Sequence, residues 1–503
     1  MKLAELLADL SVAEDAFVGC TPQTDVTGLQ VDSRTVGAAP GCAFLATIGG
    51  TVDAHRFVPG AVSDGAGVVL VQRGHIDAPA GPHVWLDDTT AAYPQLAANA
   101  AGRPAEQLAC AAVTGTNGKT TTAHLLDAIL RHTQRPFTRL GTTGNWLVDA
   151  EESAAFTTPF PLELQALLRR ALDRGASAVV MEASSHALAQ DRVAPMRFDA
   201  VGFTSFSQDH LDFHPTMEAY LEAKCLLATR FMKEGGVAVA AVDAQPASQT
   251  FLDAARPRAR ACLRASRGAM PDAELLATNL RYGARRTTAT LRTPEGVFDL
   301  TTPLIAPYNL DNALVAMGMA WGLGIDFATS VAALSTATGA PGRLERVVVD
   351  REDVPTVVVD YAHTPDAVAR ALAAVRPLCA GTLHVVLGCG GDRDPKKRPL
   401  MGNAAATGAD VFWATSDNPR TEDPAAIVDA MLTGVPEART SVVRRDVERS
   451  SAIARAIADA DADDLVLIAG KGHEDYQVLG TETIHFDDRE HARSALSKRP
   501  GPA

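Results

Sequence analysis

Val113-Thr114-Gly115-Thr116-Asn117-Gly118-Lys119-Thr120-Thr121-Thr122 is the stretch of this chain best suited to holding phosphate. It ends a strand-like run over 108–114 and precedes a helical pattern over 123–131. A glycine-containing turn there aims backbone N–H groups at phosphate oxygens, at the positive end of a helix dipole. Lys119 adds a cation for the β- and γ-phosphates, and Thr120 a hydroxyl for Mg²⁺. Val113 stands where the GxxxxGKS/T pattern has its first glycine, so a tight strand-to-helix turn with an incidental lysine is the competing reading. The order strand, turn, helix favours phosphate.

Such a loop needs a carboxylate on a neighbouring strand to help hold the metal. The apolar run 178–181 leads into Glu182 and then Ala183-Ser184-Ser185-His186, and strand ends carry ligand sites in open α/β sheets. Glu182 also fits the acidic start of a helix. The next run, 198–203, precedes Ser207-Gln208-Asp209-His210-Leu211-Asp212-Phe213-His214. Its two histidines and two aspartates suit either loop polars or one wall of a cation site. Lys224 lies on a helical pattern in Tyr220-Leu221-Glu222-Ala223-Lys224, and by residue type alone it is a solvated helix lysine.

Positioning these groups requires strands and helices in alternation. From about residue 60 onward the chain supplies them, predicting an α/β fold with a mostly parallel sheet. Its 503 residues suit three domains at about 150 each. The first, 1–104, has strands over 67–71 and 84–86 and an alanine-rich helix ending at Gly102-Arg103-Pro104. The second, 105–341, has strands over 108–114, 178–181, 198–203 and 237–242 and closes near Gly339-Ala340-Pro341-Gly342. The third, 342–503, has strands over 347–349, 356–359, 384–387, 411–414 and 465–468. Residues 1–10 read as a short amphipathic helix and the tail after Ser497 as frayed.

Composition excludes several classes of function. With 47% hydrophobic and 21% charged residues the chain is not disordered. A net charge of −14 and no lysine or arginine block argue against nucleic acid or an anionic membrane face. No apolar run approaches the ~18 residues of a membrane span. Seven cysteines without a short-spaced pair predict a reducing, cytoplasmic setting. A monomer is the default expectation.

The ordered set GTNGKTTT, MEASSHAL, DHLDFH and YLEAK resembles the Mur ligases of peptidoglycan synthesis. The likeness continues through Asn309-Leu310-Asp311-Asn312, Pro341-Gly342-Arg343-Leu344-Glu345 and Asp360-Tyr361-Ala362-His363-Thr364-Pro365, and it spans Asp32 to Glu474. It implies a central P-loop ATPase sheet, a Rossmann-like C-terminal domain and an N-terminal UDP-binding domain. ATP and Mg²⁺ are implied, with Gly115, Thr116, Asn117, Gly118, Lys119, Thr120, Thr121, Asn309, Asn312, Arg343 and Asp360 around the nucleotide. The resemblance reverses the reading of Lys224, which it implies is carbamylated and holds a second Mg²⁺ with His210. Thr120 and Glu182 would hold the first. Lys119, Glu182, His210 and Lys224 are then the catalytic set.

Within the family the chain resembles the ligases that add the third residue of the stem peptide. Asp32-Ser33-Arg34 and the segment 49–55 look like the UDP-binding region, with Val31 and Ser33 as contacts. Thr157, Thr158, Ser184, Gln190 and Arg192 look like contacts to the UDP-N-acetylmuramoyl dipeptide. The segment 388–399 with Arg393, the run Asp417-Asn418-Pro419-Arg420, and Gly470-Lys471-Gly472-His473-Glu474 look like a meso-diaminopimelate pocket. A guanidinium fork suits a carboxylate, so Arg420 explains that amino acid better than L-lysine or L-ornithine. By residue type alone the Asn-Pro pair is a turn with a surface arginine. Phe156, Asp53-Ala54-His55 and Ala306-Pro307-Tyr308 depart from the usual family pattern. A folylpolyglutamate-type ligase is the more distant enzyme alternative, and a nucleotide-binding regulatory protein the non-enzyme one; Lys119, Glu182, His210 and Lys224 are all present, against the latter.

Overall fold

The structure, a computed structural model, describes residues 1–50, 52–243, 246–351 and 353–499. They form two compact units, Met1–Arg264 with Gly318–Ile325, and Ala265–Met317 with Asp326–Ala503. Each unit carries a parallel sheet whose central strands, such as Ala109–Thr114 and Leu465–Ala469, are buried nearly end to end, as in sheets covered on both faces.

In the first unit, a five-stranded sheet runs in the order Phe17–Val18, His83–Leu86, Val68–Gln72, Ala43–Leu45, Leu29–Gln30; only its first pair is antiparallel. A second sheet brings Met232–Ala241, Phe198–Phe203, Ala109–Thr114, Ala178–Glu182 and Phe137–Leu140 side by side, all parallel. Asn145–Leu147 and Ala150–Glu152 extend it as antiparallel strands. The strand earliest in the chain lies in the middle, flanked by the third and fourth. The chain therefore leaves Ala109–Thr114 in one direction and returns on both sides of it, which opens a crevice at that strand's C-terminal end. The helix Lys119–His132 starts there. It is tied to the sheet by Asp127, whose carboxylate accepts from Arg139 Nη1 at 2.8 Å and Arg131 Nε at 2.5 Å. Arg139 and Asp127 are both buried.

In the second unit, Leu275–Tyr282, Thr287–Thr293 and Gly296–Thr302 form an antiparallel meander. A six-stranded sheet has the order Glu345–Arg346, Thr356–Asp360, Leu465–Ala469, Leu383–Leu387, Val411–Ala414, Val443–Arg445, parallel except at its first pair. The last long strand, Leu465–Ala469, is inserted between the first two parallel ones, and so the loops after three central strands meet at one edge. The hairpin Tyr476–Leu479 and Glu482–His485 follows.

Three expectations are corrected. Residues 1–10 are helical only over Leu3–Leu6, since the chain turns at Asp9 with φ 63°. The run 347–349 is not a strand: the pairing partner of Thr356–Asp360 is Glu345–Arg346, and Val348 is exposed. The end of the chain is helical through Lys498, while residues 500–503 lie outside the described residues. The strands between 259 and 302 carry no apolar run long enough to announce them.

Removing one partner of a buried ion pair leaves an uncompensated charge, so Arg139→Ala is expected to destabilise the first unit by about 3–5 kcal/mol. Urea unfolding of the variant measures it, and a loss under about 1 kcal/mol would show that the helix is held by packing alone.

Candidate active site

Gly115 begins the phosphate loop at φ 147°, and a Cβ there would lie 2.1 Å from Thr204 Oγ1. The closeness arises because the loop is stitched to the segment after the next strand. Thr116 N–H donates to Ser205 O at 2.7 Å, Asn117 N–H to Ser205 Oγ at 2.9 Å, and Thr116 Oγ1 to Ser207 O at 3.1 Å. Gly118, at φ 89°, starts the helix whose first turn carries Lys119, Thr120 and Thr121. Thr120 Oγ1 donates to Glu182 Oε2 at 2.9 Å. Glu182 is 1% exposed and also takes Thr142 N–H at 2.8 Å and Thr142 Oγ1 at 3.2 Å. Hydroxyl and carboxylate oxygens opposite a phosphate loop are the hard donors that Mg²⁺ prefers.

Lys119 Nζ donates to Gly115 O at 2.8 Å and Thr116 O at 2.9 Å. Lys224 Nζ donates to the same Gly115 O at 2.9 Å. Far from being solvated, Lys224 is 1% exposed, on the helix Met217–Leu226, with its nitrogen 4.3 Å from the centre of the Tyr220 ring. Burial, reinforced by the Lys119 charge, holds the Lys224 amine well below the usual lysine range, and Asp209 opposes this only in part. Tyr220 OH lies 3.2 Å from Thr116 Oγ1, linking the lysine helix to the phosphate loop.

His210, at φ 52°, is exposed beside this group. Its ring centre is 4.8 Å from that of His186 and 6.0 Å from that of Tyr220. Its Nε2 lies 3.6 Å from Asp209 Oδ2.

The dipeptide-site candidates gather around Glu182. Thr157 Oγ1 is 3.0 Å from Thr142 Oγ1, and Thr158 Oγ1 donates to Glu182 O at 2.8 Å. Ser184 N–H donates to Thr158 Oγ1 at 3.1 Å, and Ser184 caps the helix Ser185–Ala189. Arg192 donates to Gln190 Oε1 at 2.7 and 2.9 Å, with its guanidinium 3.8 Å from the Phe160 ring centre. Among the described residues no carboxylate pairs with Arg192. Val31 and Ser33 stand apart, just after the edge strand Leu29–Gln30 of the five-stranded sheet, where Ser33 opens the short helix Ser33–Ala38.

Asp53, His55 and His75 bring their ligand atoms within 4.8 Å of one another, in the manner of a metal site. Gln72 N–H, however, donates to His55 Nε2 at 2.8 Å. The ring proton must then sit on Nδ1, which donates to Asp53 Oδ1 at 2.6 Å. A protonated nitrogen has no lone pair for a metal, so this trio braces the adjoining loop. Burial would raise the Asp53 carboxyl, but bonds from His55 and His75 outweigh it and bring it down to about 2.

The second unit holds the remaining candidates. Asn309 Nδ2 donates to Ile305 O at 2.9 Å, and Asn312 sits one turn further along the same helix, 3.4 Å from Asn309 Oδ1. Asp360 takes the N–H groups of Leu344 and Ala362 at 2.8 and 2.9 Å, and Arg343 covers the Tyr361 ring. At the edge of the six-stranded sheet, Asn418 Nδ2 donates to Glu474 Oε2 at 2.9 Å. Lys471, 0% exposed and named in the sequence only as a member of the 470–474 run, donates to Asn418 Oδ1 at 3.1 Å and lies 3.4 Å from Glu474 Oε2. Gly470, at φ 116°, passes so close to Asp417 that a Cβ would lie 2.6 Å from Oδ2.

Pro419 leads into Arg420, which adopts φ 51°; its Nη1 donates to Gly391 O at 2.8 Å. Among the described residues no carboxylate lies within ion-pair distance of Arg420. Arg393 is exposed on the neighbouring loop. Thr142 escaped the sequence reading, and Tyr220 and Lys471 entered it only as members of motifs without a role of their own, because each acts by spatial contact.

Residues 113–320 match the Mur ligase middle domain and residues 342–472 the Mur ligase, glutamate ligase domain. The chain is 44% identical to a UDP-N-acetylmuramoyl-L-alanyl-D-glutamate–2,6-diaminopimelate ligase of Gloeobacter violaceus, covering 99% of each. A solved structure bearing the same enzyme name superposes with a TM-score of 0.74 at 31% identity, covering 99% of both chains. The folylpolyglutamate synthase of Mycobacterium tuberculosis, solved with ADP and AMPPCP, shares the fold at a TM-score of 0.58 and 20% identity, covering 81% of this chain and 96% of that one.

A side chain at Gly115 meets both an unfavourable φ and Thr204. Gly115→Ala is therefore expected to strain the loop by about 1–3 kcal/mol and weaken ATP binding at least about tenfold. Titration calorimetry with Mg-ATP reads this directly; an unchanged Kd would refute the loop assignment.

Proposed function

The chain belongs to the Mur ligase family, and from that premise we propose that it joins the D-glutamyl carboxylate of UDP-N-acetylmuramoyl-L-alanyl-D-glutamate to an amine of meso-diaminopimelate, cleaving ATP to ADP and phosphate. The observation that carries the chemistry is the pair of lysines, half-buried Lys119 and buried Lys224, on one carbonyl oxygen. A carboxylate attacking a γ-phosphate brings two anions together, which calls for fixed positive charge at that point. Lys119 and the helix N-terminus supply it. The attack gives an acyl phosphate, which the amine opens with loss of phosphate.

Lys224 has a different task. Burial lowers the proton affinity of this amine, and the deprotonated amine adds to CO₂: the nitrogen–carbon bond forms, one proton leaves, and an anionic carbamate results. Lys119 favours that anion for the same electrostatic reason that it disfavours a second ammonium. Thr120 with Glu182 would hold one Mg²⁺, and carbamylated Lys224 with His210 a second. When bound, these ions neutralise charge on the transferring phosphoryl oxygens.

Thr157, Thr158, Ser184, Gln190 and Arg192 bind the dipeptide, with the unpaired Arg192 taking a carboxylate. Val31 and Ser33 contact the uridine end. Gly115 to Thr121, Asn309, Asn312, Arg343 and Asp360 bind ATP. Arg420 takes a carboxylate of the amino acid, Glu474 its distal ammonium, and Arg393, Asp417, Asn418, Pro419 and Gly470 shape the pocket. The domains on this reading are 1–104, 105–341 and 342–503, for UDP precursor, ATP and amino acid. A monomer in the cytoplasm suits soluble substrates and seven cysteines of which none forms a disulfide.

Phosphate release with the dipeptide precursor and each of meso-diaminopimelate, L-lysine and L-ornithine tests the reading. Turnover with meso-diaminopimelate alone is expected, and turnover with lysine instead would overturn the role of Arg420. Lys224→Ala should lower kcat by about 10²–10³-fold. In ¹³C-bicarbonate a carbamate resonance should appear in the wild type and be missing in that variant. Because acid protonates the amine, the resonance should fade as pH falls; its absence at every pH would rule the carbamate out.

A further inference from the structure

Arg449 and Asp488 belong to none of the motifs above, yet both side chains are 0% exposed. Each is the first residue of a helix, Arg449–Asp459 and Asp488–Lys498. Arg449 Nε donates to Asp488 Oδ1 at 2.8 Å and Nη2 to Oδ2 at 2.7 Å, a bidentate pair. The guanidinium has donors left over. Nη1 reaches Ser416 O at 3.2 Å and Nη2 reaches Ala469 O at 3.1 Å.

Those two carbonyls are not arbitrary. Ser416 immediately precedes Asp417, and Ala469 immediately precedes Gly470. One planar fork thus ties together the roots of the 417–420 and 470–474 loops, and Asp488 fixes the fork. Further along, the same loops are joined by Asn418, Lys471 and Glu474. The tolerance is small, because Gly470 and Asp417 already leave no room for a Cβ.

A buried ion pair is a weak device for stability, since well-packed apolar side chains of similar volume often do as well. Apolar side chains cannot, however, hold two strand-end carbonyls at a fixed spacing. We propose that Arg449, held by Asp488, is a positioning residue that sets the separation of the two loops and hence the geometry of Arg420 and Glu474 towards the amino acid. This rests on the reading of those loops as the amino-acid pocket.

The test compares wild type, R449M/D488L and R449K. The double replacement removes both charges, so it is expected to fold with a melting temperature near that of the wild type. Its KM for meso-diaminopimelate should rise at least about tenfold, because small misplacements of binding groups have large effects. KM for ATP and for the dipeptide precursor should stay within about twofold, and hydrogen exchange of residues 417–420 and 470–474 should speed up at least about tenfold. R449K keeps the charge but lacks the fork, and should show a smaller shift in the same two readouts.

A folded double variant with wild-type KM for the amino acid and wild-type loop exchange would overturn the proposal. If the double variant does not fold, R449K decides by the same measurements, and an unshifted KM with unshifted exchange again overturns it. Faster loop exchange in the variants of a protein whose wild type ignores meso-diaminopimelate would uphold the brace while removing the pocket reading beneath it.

Discussion

The Gly115 carbonyl oxygen organises the first unit. It accepts from Lys119 and from Lys224, two cations that electrostatics would keep apart. They meet because the loop is clamped to the segment after Phe198–Phe203 through Thr204, Ser205 and Ser207, and because Tyr220 joins the Lys224 helix to Thr116. For Lys224 itself, that shared carbonyl and the face of Tyr220 are weak compensation for a buried ammonium. Burial therefore weakens the hold of the deeper lysine on its proton, and a chain folded otherwise would present an ordinary surface amine here.

Strand order supplies the constraint beneath that contact. In both parallel sheets a strand from elsewhere in the chain is inserted between early ones, and the loops at that edge diverge around it. In the first unit these loops bring the phosphate loop, Glu182 and the 204–210 segment together. In the second they bring 388–391, 415–420 and 470–474 together. Catalytic side chains on short loops at strand ends inherit the rigidity of the sheet, which helices cover on both faces.

Much of this was legible in the sequence because it depends on local order. The apolar runs 198–203 and 411–414 coincide with strands, and the phosphate loop lies where glycine, lysine and threonine follow such a run. Glu182 could be anticipated as the residue at which an apolar strand ends. Lys224 could not be read from its neighbours: Tyr220, Glu222 and Ala223 describe a plain amphipathic helix, and its burial comes from Gly115, 109 residues away. Only the resemblance of the whole motif set reversed that reading. The Val347–Val349 triple misled for the opposite reason, since Val347 alone is buried and the chain then turns away from its partner strand. Thr142 and Arg449 carry no motif, and their roles exist only in contacts with Glu182, Asp488 and two distant carbonyls.

The two buried lysines show how far chemistry is set by partners and how little by residue type. Lys224 and Lys471 are 1% and 0% exposed, and each lies near a tyrosine ring. Lys471 faces the Glu474 carboxylate and the Asn418 carbonyl oxygen, so its charge is matched and its role is to hold those groups in register. Lys224 faces a carbonyl already claimed by Lys119, with no carboxylate bonded to it among the described residues. The first arrangement makes a lysine a structural cation. The second holds the amine well below the usual lysine range, because an unmatched buried charge is costly and releasing the proton relieves it. On the proposed reading this is the condition under which the amine adds CO₂ and becomes an anion beside Lys119.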